Sequence, residues 1–121
     1  MSRTTCHVRG HNKYGARKIS TGGKAFDSVK EAKRYRELSL LEAAGTIADL
    51  RCQVPYVLIP AQKDDDTTER AVSYIADFVY EQDGRTVVED VKGYRQGNAY
   101  ALFAVKRKLM LWVHGIHVKE V

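Results

Sequence analysis

The chain has 121 residues, a formal net charge of +5 and a hydrophobic fraction of 44%, which suits one domain with a single core. No apolar run approaches the ~18 residues that a membrane helix needs. The basic, polar N-terminus has no apolar segment behind it, so neither a membrane partner nor a secretory leader is expected.

Charge is unevenly spread. Residues 1–36 hold ten of the 20 Lys and Arg against only Asp27 and Glu31, a net +8, whereas residues 37–121 sum to −3. A basic arm on a near-neutral body suits a polyanion partner such as DNA, although a solubilising tail has the same composition. The two cysteines, Cys6 and Cys52, fall in an expected tail and an expected strand. That placement argues against a disulfide framework and for a reducing cytoplasm.

Residues 1–24 carry Arg3, Arg9, Lys13, Arg17, Lys18 and Lys24 among Gly, Ser, Thr and His. They lack apolar periodicity and read as an irregular basic arm ahead of a folded domain over 25–121. Cys6, His7 and His11 lack a second ligand pair at zinc spacing, so no zinc site is expected there. Ser28-Val29-Lys30-Glu31 fits a capping box and opens a helix over 28–44. Its apolar stripe is Val29, Ala32, Tyr35, Leu38 and Leu41, and Gly45 stops it. Cys52–Ile59 reads as a strand, with Pro55 favouring an edge position. Ala61–Glu69, with the run Asp64-Asp65-Asp66, reads as a solvated hairpin loop.

Tyr74–Tyr80 and Arg85–Gly93, joined across Asp83-Gly84, read as a hairpin, because Asp-Gly between β-branched and aromatic runs favours a tight turn. Asn98 caps a second expected helix reaching about Val113, with Leu102, Val105, Leu109 and Trp112 as its buried stripe. Gly115 ends it, and Ile116–Val121 alternates as a last strand. The expected fold is α/β: a mixed central sheet flanked by helices, in the order αβββαβ, with a crossover joining the last two strands in parallel.

Three charged residues interrupt the hairpin. On alternating strand faces, Asp77 shares a side with Ile75 and Val79, and Asp90 with Val88 and Lys92. A carboxylate among apolar neighbours is costly to bury unless it is paired or binds a metal. Adjacent strands ~4.8 Å apart let two carboxylates reach one cation, and Mg²⁺ or Mn²⁺ suits oxygen ligands, including the Val91 carbonyl. With Val91 turned into the core, Lys92 emerges beside Asp90, where an amine can orient water or neutralise charge building on a phosphate. A structural ion pair between Asp77 and Lys92 would use the same residues. Glu89 faces the other way and reads as structural, paired with a basic residue.

Asp77 followed by Asp90-Val91-Lys92, in this order of elements, resembles the PD-(D/E)XK nuclease superfamily, whose core is restriction-endonuclease-like. Asn12-Lys13-Tyr14, Phe26 to Ala32, the Gln53 segment, Tyr74 to Phe78 and Val87 to Gly93 resemble more closely a small family of nuclease-like proteins carried mostly by bacteriophages and prophages. The resemblance spans about Asn12 to Val121. It implies Asp77, Asp90 and Lys92 as catalytic residues, with Ala76 standing where proline is frequent. It adds Glu31 as a metal ligand from the first helix, although Glu31 also suits the capping box of Ser28.

Gln53 is a site-lining candidate, and Arg17, Lys18, Lys24, Lys106 and Lys108 are candidate DNA contacts. Tyr94 and Tyr100 suit base stacking or packing. The implied function is a Mg²⁺-dependent DNA endonuclease selective for branched or junction DNA in phage recombination or replication, acting in the host cytoplasm. Symmetric cutting implies a homodimer. The alternative is a non-catalytic DNA-binding accessory protein on the same fold.

Overall fold

The computed structural model describes residues 19–21, 24–26, 28–93 and 95–121, and for 19–21, 24 and 25 the backbone path alone. Its first elements are two short strands, β1 (Ile19–Thr21) and β2 (Lys24–Phe26), paired antiparallel with Ile19 opposite Phe26. The expected irregular course therefore does not hold for 19–21 and 24. Three-residue strands are too short to leave a periodic signal, and tertiary packing selects them: Phe26 is buried, its ring 4.9 Å from that of Tyr35 and 6.2 Å from that of Phe78. Arg17, Lys18, Cys6, His7 and His11 lie outside the described residues.

Helix α1 spans Val29–Ala43. Ser28 is its N-cap, in extended backbone, and its hydroxyl accepts the Glu31 N–H at 3.0 Å. At the other end Gly45 takes φ +80°, with Gly45 N–H bonded to the Glu42 carbonyl and Thr46 N–H to the Leu41 carbonyl. This is the Schellman arrangement that a left-handed glycine allows. The buried face is Ala32, Tyr35 and Leu38, with Glu31 and Glu42. Val29 and Leu41 drop out of the expected stripe, Val29 being 64% exposed in the overhanging first turn.

The central sheet has the order β3 (Ala48–Ile59), β6 (Val72–Gln82), β7 (Arg85–Asp90), β8 (Val118–Glu120). β3, β6 and β7 are antiparallel, and β8 joins β7 in parallel after helix α2 (Gly97–His114). Pro55 lies on the edge strand β3, where a missing ladder donor is tolerated. Asp83 and Gly84 both have positive φ, at 53° and 76°, as a type I′ turn requires. Between β3 and β6, β4 (Gln62–Asp64) and β5 (Thr67–Glu69) form a fully exposed hairpin that carries the three aspartates at its tip. Within this set, α1, β3, β6, β7, α2 and β8 give the expected αβββαβ order.

Each face of the sheet holds a core. α1 covers Ile47, Leu50, Cys52, Phe78 and Tyr80, and α2 covers Leu58, Tyr74, Ala76, Val79, Val88 and Val118. Ala76 and Val79 share a face although three residues apart, and so do Ala76 and Val54, whereas Cys52 and Phe78 lie on the other side. Yet the pairing does not slip, since Cys52 faces Phe78 and Val54 faces Ala76. Both strands therefore turn over together at Gln53 and Asp77. Gln53 takes φ +55°, a left-handed conformation that breaks strand alternation. The expected common face for Ile75, Asp77 and Val79 is thus corrected: Ile75 is 52% exposed while Val79 is fully buried.

Three further expectations change. α2 buries Phe103 and Met110, while Leu102, Val105 and Trp112 point to solvent at 56%, 53% and 86% exposure. Gln96, not Asn98, is its N-cap. Cys52 is disulfide-bonded rather than a free thiol, which removes the cysteine argument for a reducing compartment. No helix among the described residues is long and apolar enough to cross a membrane.

Candidate functional site

The β6–β7 ladder is last registered at Phe78 opposite Glu89. One further step sets Asp77 level with Asp90, and there a side chain replaces the ladder acceptor: the Val91 N–H donates to Asp77 Oδ2 at 2.8 Å. The end of β7 stays anchored on its other side, with Lys92 N–H on the Val121 carbonyl and Val121 N–H on the Asp90 carbonyl, each at 2.9 Å. The rotation of both strands at Gln53 and Asp77 opens the space this needs.

Gln53 Nε2 donates to Asp77 Oδ1 at 3.3 Å and to Glu31 Oε1 at 3.0 Å, so one amide ties helix α1 to strand β6. Glu31 thus serves the site as well as the helix start, where its own N–H meets the cap. Asp90 is held separately. Its Oδ2 accepts the Tyr74 hydroxyl at 2.6 Å, and Lys92 Nζ lies 2.9 Å from its Oδ1. Lys92 Nζ also stands 3.7 Å above the centre of the Phe103 ring, a cation–π placement. Val91 packs against the α1 core, so Asp90 and Lys92 emerge together on the α2 side, as expected.

The structure therefore brings Asp90 to Lys92, links Glu31 to Asp77 through Gln53, and joins the two sets through the Val91 amide. Glu31, Asp77 and Asp90 are all buried, at 4–6% exposure. Among the described residues, no group of three or more His, Cys, Asp and Glu stands close enough to hold a metal. A hard cation such as Mg²⁺, which keeps several of its waters, would call on Asp77, Asp90 and neighbouring backbone oxygens.

The strand end separates two clefts. One, of about 380 Å³, lies between β6, the end of β7 and the start of α2, and is lined by Tyr74, Ile75, Asp90, Lys92, Phe103 and Lys106 among others. The other, of about 220 Å³, lies on the α1 side, between Lys30, Lys33, Arg34, Glu37, Val91 and Val121. Lys30 reaches across to donate to the Lys92 carbonyl. Of the candidate DNA contacts, Lys106 is at the first cleft and Lys108 is exposed elsewhere on α2. Lys24 lies in β2.

Glu89 faces the opposite side from Asp90 and is fully buried. Arg34 grips both its oxygens, Nε at 2.8 Å and Nη2 at 2.6 Å, and the Tyr80 hydroxyl donates to it as well. The hydrogen bond to Glu89 holds the Arg34 guanidinium above its ordinary range, against the effect of burial. Burial, with the bond to Glu89, raises the Tyr80 phenol. This is the structural pairing expected of Glu89. At the far end of the site, Glu120 accepts from Tyr100 and Arg107. Burial opposes ionisation there, but those two donors hold its carboxyl below the usual range. Tyr100 thus packs and bonds, while Tyr94 lies outside the described residues.

Sequence reasoning missed Tyr74, Phe103 and Lys30. Tyr74 belongs to the same strand as Asp77 but reads as an ordinary aromatic strand residue. Phe103 and Lys30 reach the site only through tertiary packing, which leaves no local trace.

A family model described as "Protein of unknown function (DUF1064)" matches residues 11–114. No curated protein and no solved structure matches the chain.

Proposed function

We propose that the chain, which belongs to the DUF1064 family, is a Mg²⁺- or Mn²⁺-dependent DNA endonuclease that recognises branched or junction DNA by shape. One observation carries this reading: Lys92 stands 2.9 Å from Asp90 while Asp77 holds the amide between those two residues. An amine and two carboxylates are thereby gathered at one strand end.

The donor set suits a hard cation. Asp77, Asp90 and the Val91 carbonyl would hold it, with Glu31 close behind through Gln53. When bound, such an ion supplies Lewis-acid polarisation of a phosphate and acidifies a water. The remaining work falls to the chain. Gln53, Tyr74 and the Val91 N–H fix the carboxylates in place. Lys92, perched over Phe103, orients a water or neutralises charge building on phosphate oxygens. Lys30, Lys33 and Lys106 border the two clefts and serve as backbone contacts that carry no base information. Arg17, Lys18, Lys24 and Lys108 add positive charge that a DNA partner would meet. The reading places the protein in the host cytoplasm, in phage recombination or replication, with two copies acting together on a junction.

The test is cleavage of a four-way DNA junction with Mg²⁺. The wild type should cut. Asp90→Ala should lose at least ~10²-fold and Lys92→Ala about 10²–10⁴-fold. Equal cutting by all three would remove the assignment. A second reading draws on the same residues: both Asp90 oxygens are engaged, one by Tyr74 and one by Lys92, as in a purely structural network. A DNA-binding accessory protein would then bind junctions with steep salt dependence and never cut them.

A further inference from the structure

We propose that the larger cleft seats one unpaired base, so that the DNA bound here carries an unstacked nucleotide beside the phosphate at Asp90 and Lys92, as at a flap, a gap or a splayed junction. DNA as the ligand comes from the nuclease reading, but the seat for a base does not, and its test reads binding rather than cleavage, so either can fail alone.

The two clefts at the strand end differ in their walls. The smaller one is lined by Lys30, Lys33 and Arg34 with one acid, Glu37, a set that suits phosphate oxygens. The larger one sets Asp90, Lys92 and Lys106 among apolar side chains. Ile75 on its β6 wall is 52% exposed, and Leu102 on its α2 wall 56%. Phe103 is buried with Lys92 over its ring, so it serves as floor and not as a free stacking face. Apolar groups at the mouth of a phosphate-handling cleft gain little from a paired duplex, whose outer surface is phosphate and sugar. They gain from the flat face of a base, which a paired stack hides and an unpaired nucleotide offers.

Size, polarity and charge agree on this occupant. At about 380 Å³ the cleft falls within the roughly 300–1,000 Å³ of pockets that hold one small molecule, room for a single nucleotide and not for a duplex. β7 ends at Asp90, level with Asp77, so over Ser73 and Ile75 strand β6 is paired with β3 alone among the described residues. Both residues line the cleft. Main-chain donors and acceptors on that open edge can meet the hydrogen-bonding rim of a base. Lys92 and Lys106 stand at the same cleft and complement the phosphates on either side of that base. A seat of this kind detects that a base is unpaired and not which base it is, because every base has a π-face.

The experiment is fluorescence anisotropy of the full chain with labelled DNA, at fixed salt and without divalent ion, so that no outcome depends on metal or on cutting. The probes are a duplex with a single-stranded flap, a fully paired duplex of the same total charge, and the flapped duplex with an abasic residue where the flap leaves. The flap should bind about 5–100-fold tighter than the paired duplex, the range expected of one stacked base. The abasic flap, which keeps every phosphate, should lose most of that gain. Ile75→Ser and Leu102→Ser, both at exposed positions, should each lower the flap-to-duplex ratio at least ~3-fold. Leu40→Ser, at a 73% exposed position on α1, should leave the ratio unchanged. Equal binding of flap and duplex, a preference that survives loss of the base, or a preference untouched by both cleft substitutions would each overturn the proposal. A wild type that shows the preference yet never cuts with Mg²⁺ would uphold it and remove the nuclease reading instead.

Discussion

Replacing Arg34 with alanine should destabilise the fold by about 3 kcal/mol, the lower end of the range for breaking a buried ion pair. Glu89 is fully buried, and Arg34 supplies two of its three described donors; Tyr80 supplies the other. The Arg34 side chain is 22% exposed, so water partly offsets the loss and the upper end of the range is not reached. At roughly 3–5 °C per kcal/mol for a chain of this size, Tm should fall by about 10–15 °C. Urea unfolding followed by circular dichroism measures the change as a shift in midpoint at constant slope. Two controls sharpen it. Glu37→Ala removes the exposed partner of Arg34, 3.2 Å away, and should cost no more than about 0.5 kcal/mol. Arg34→Met combined with Glu89→Leu removes both charges and should recover most of the stability. A loss below about 1 kcal/mol in Arg34→Ala would refute the view that this pair pins α1 to the back of β7.

Tyr80 sets an alkaline limit. Its phenol is raised above the ordinary value of 10.0 by burial and by the bond to Glu89, so the folded state holds that proton more tightly than the unfolded chain. The stabilisation is complete below pH 10 and declines as pH rises towards the folded-state value, by up to about 1.4 kcal/mol per pH unit. Tyr80→Phe should flatten that decline, as read from unfolding midpoints at stepped pH. At Gln53, alanine and glycine both delete the amide shared by Glu31 and Asp77, but glycine alone escapes the cost of φ +55°. Gln53→Gly should therefore be more stable than Gln53→Ala by about 1 kcal/mol, and equal midpoints would show that the backbone there is not strained.

Much of this molecule is legible in its sequence because the signals are local. Ser28 and Gly45 bracket α1, Asp83-Gly84 turns the hairpin, and Gly115 ends α2, each through a backbone preference of a single residue type. Asp90 and Lys92 fall on one side because β7 alternates regularly to its end. What local signals miss depends on partners distant in sequence. Helical spacing identifies an apolar stripe on α2 but not what it packs on: Leu102, Val105 and Trp112 face outward, while Phe103 and Met110 face the sheet. Alternation placed Asp77 with Ile75 and Val79 because nothing in the strand announces that it turns over. The cause lies on the neighbouring strand, in a glutamine adopting a conformation more often left to glycine. The strands β1 and β2 escape notice for a related reason, since they are ordered by contact with α1.

The joint rotation of two neighbouring strands at Gln53 and Asp77 makes a seat that belongs to neither hydrophobic layer. Side chains above and below that crossing can be exchanged for others of similar volume while the acid at its centre keeps its bearing. A carboxyl group can thus sit deep in a small protein without thinning the oil on either side. The layers are thereby left to diverge in sequence around a fixed polar axle.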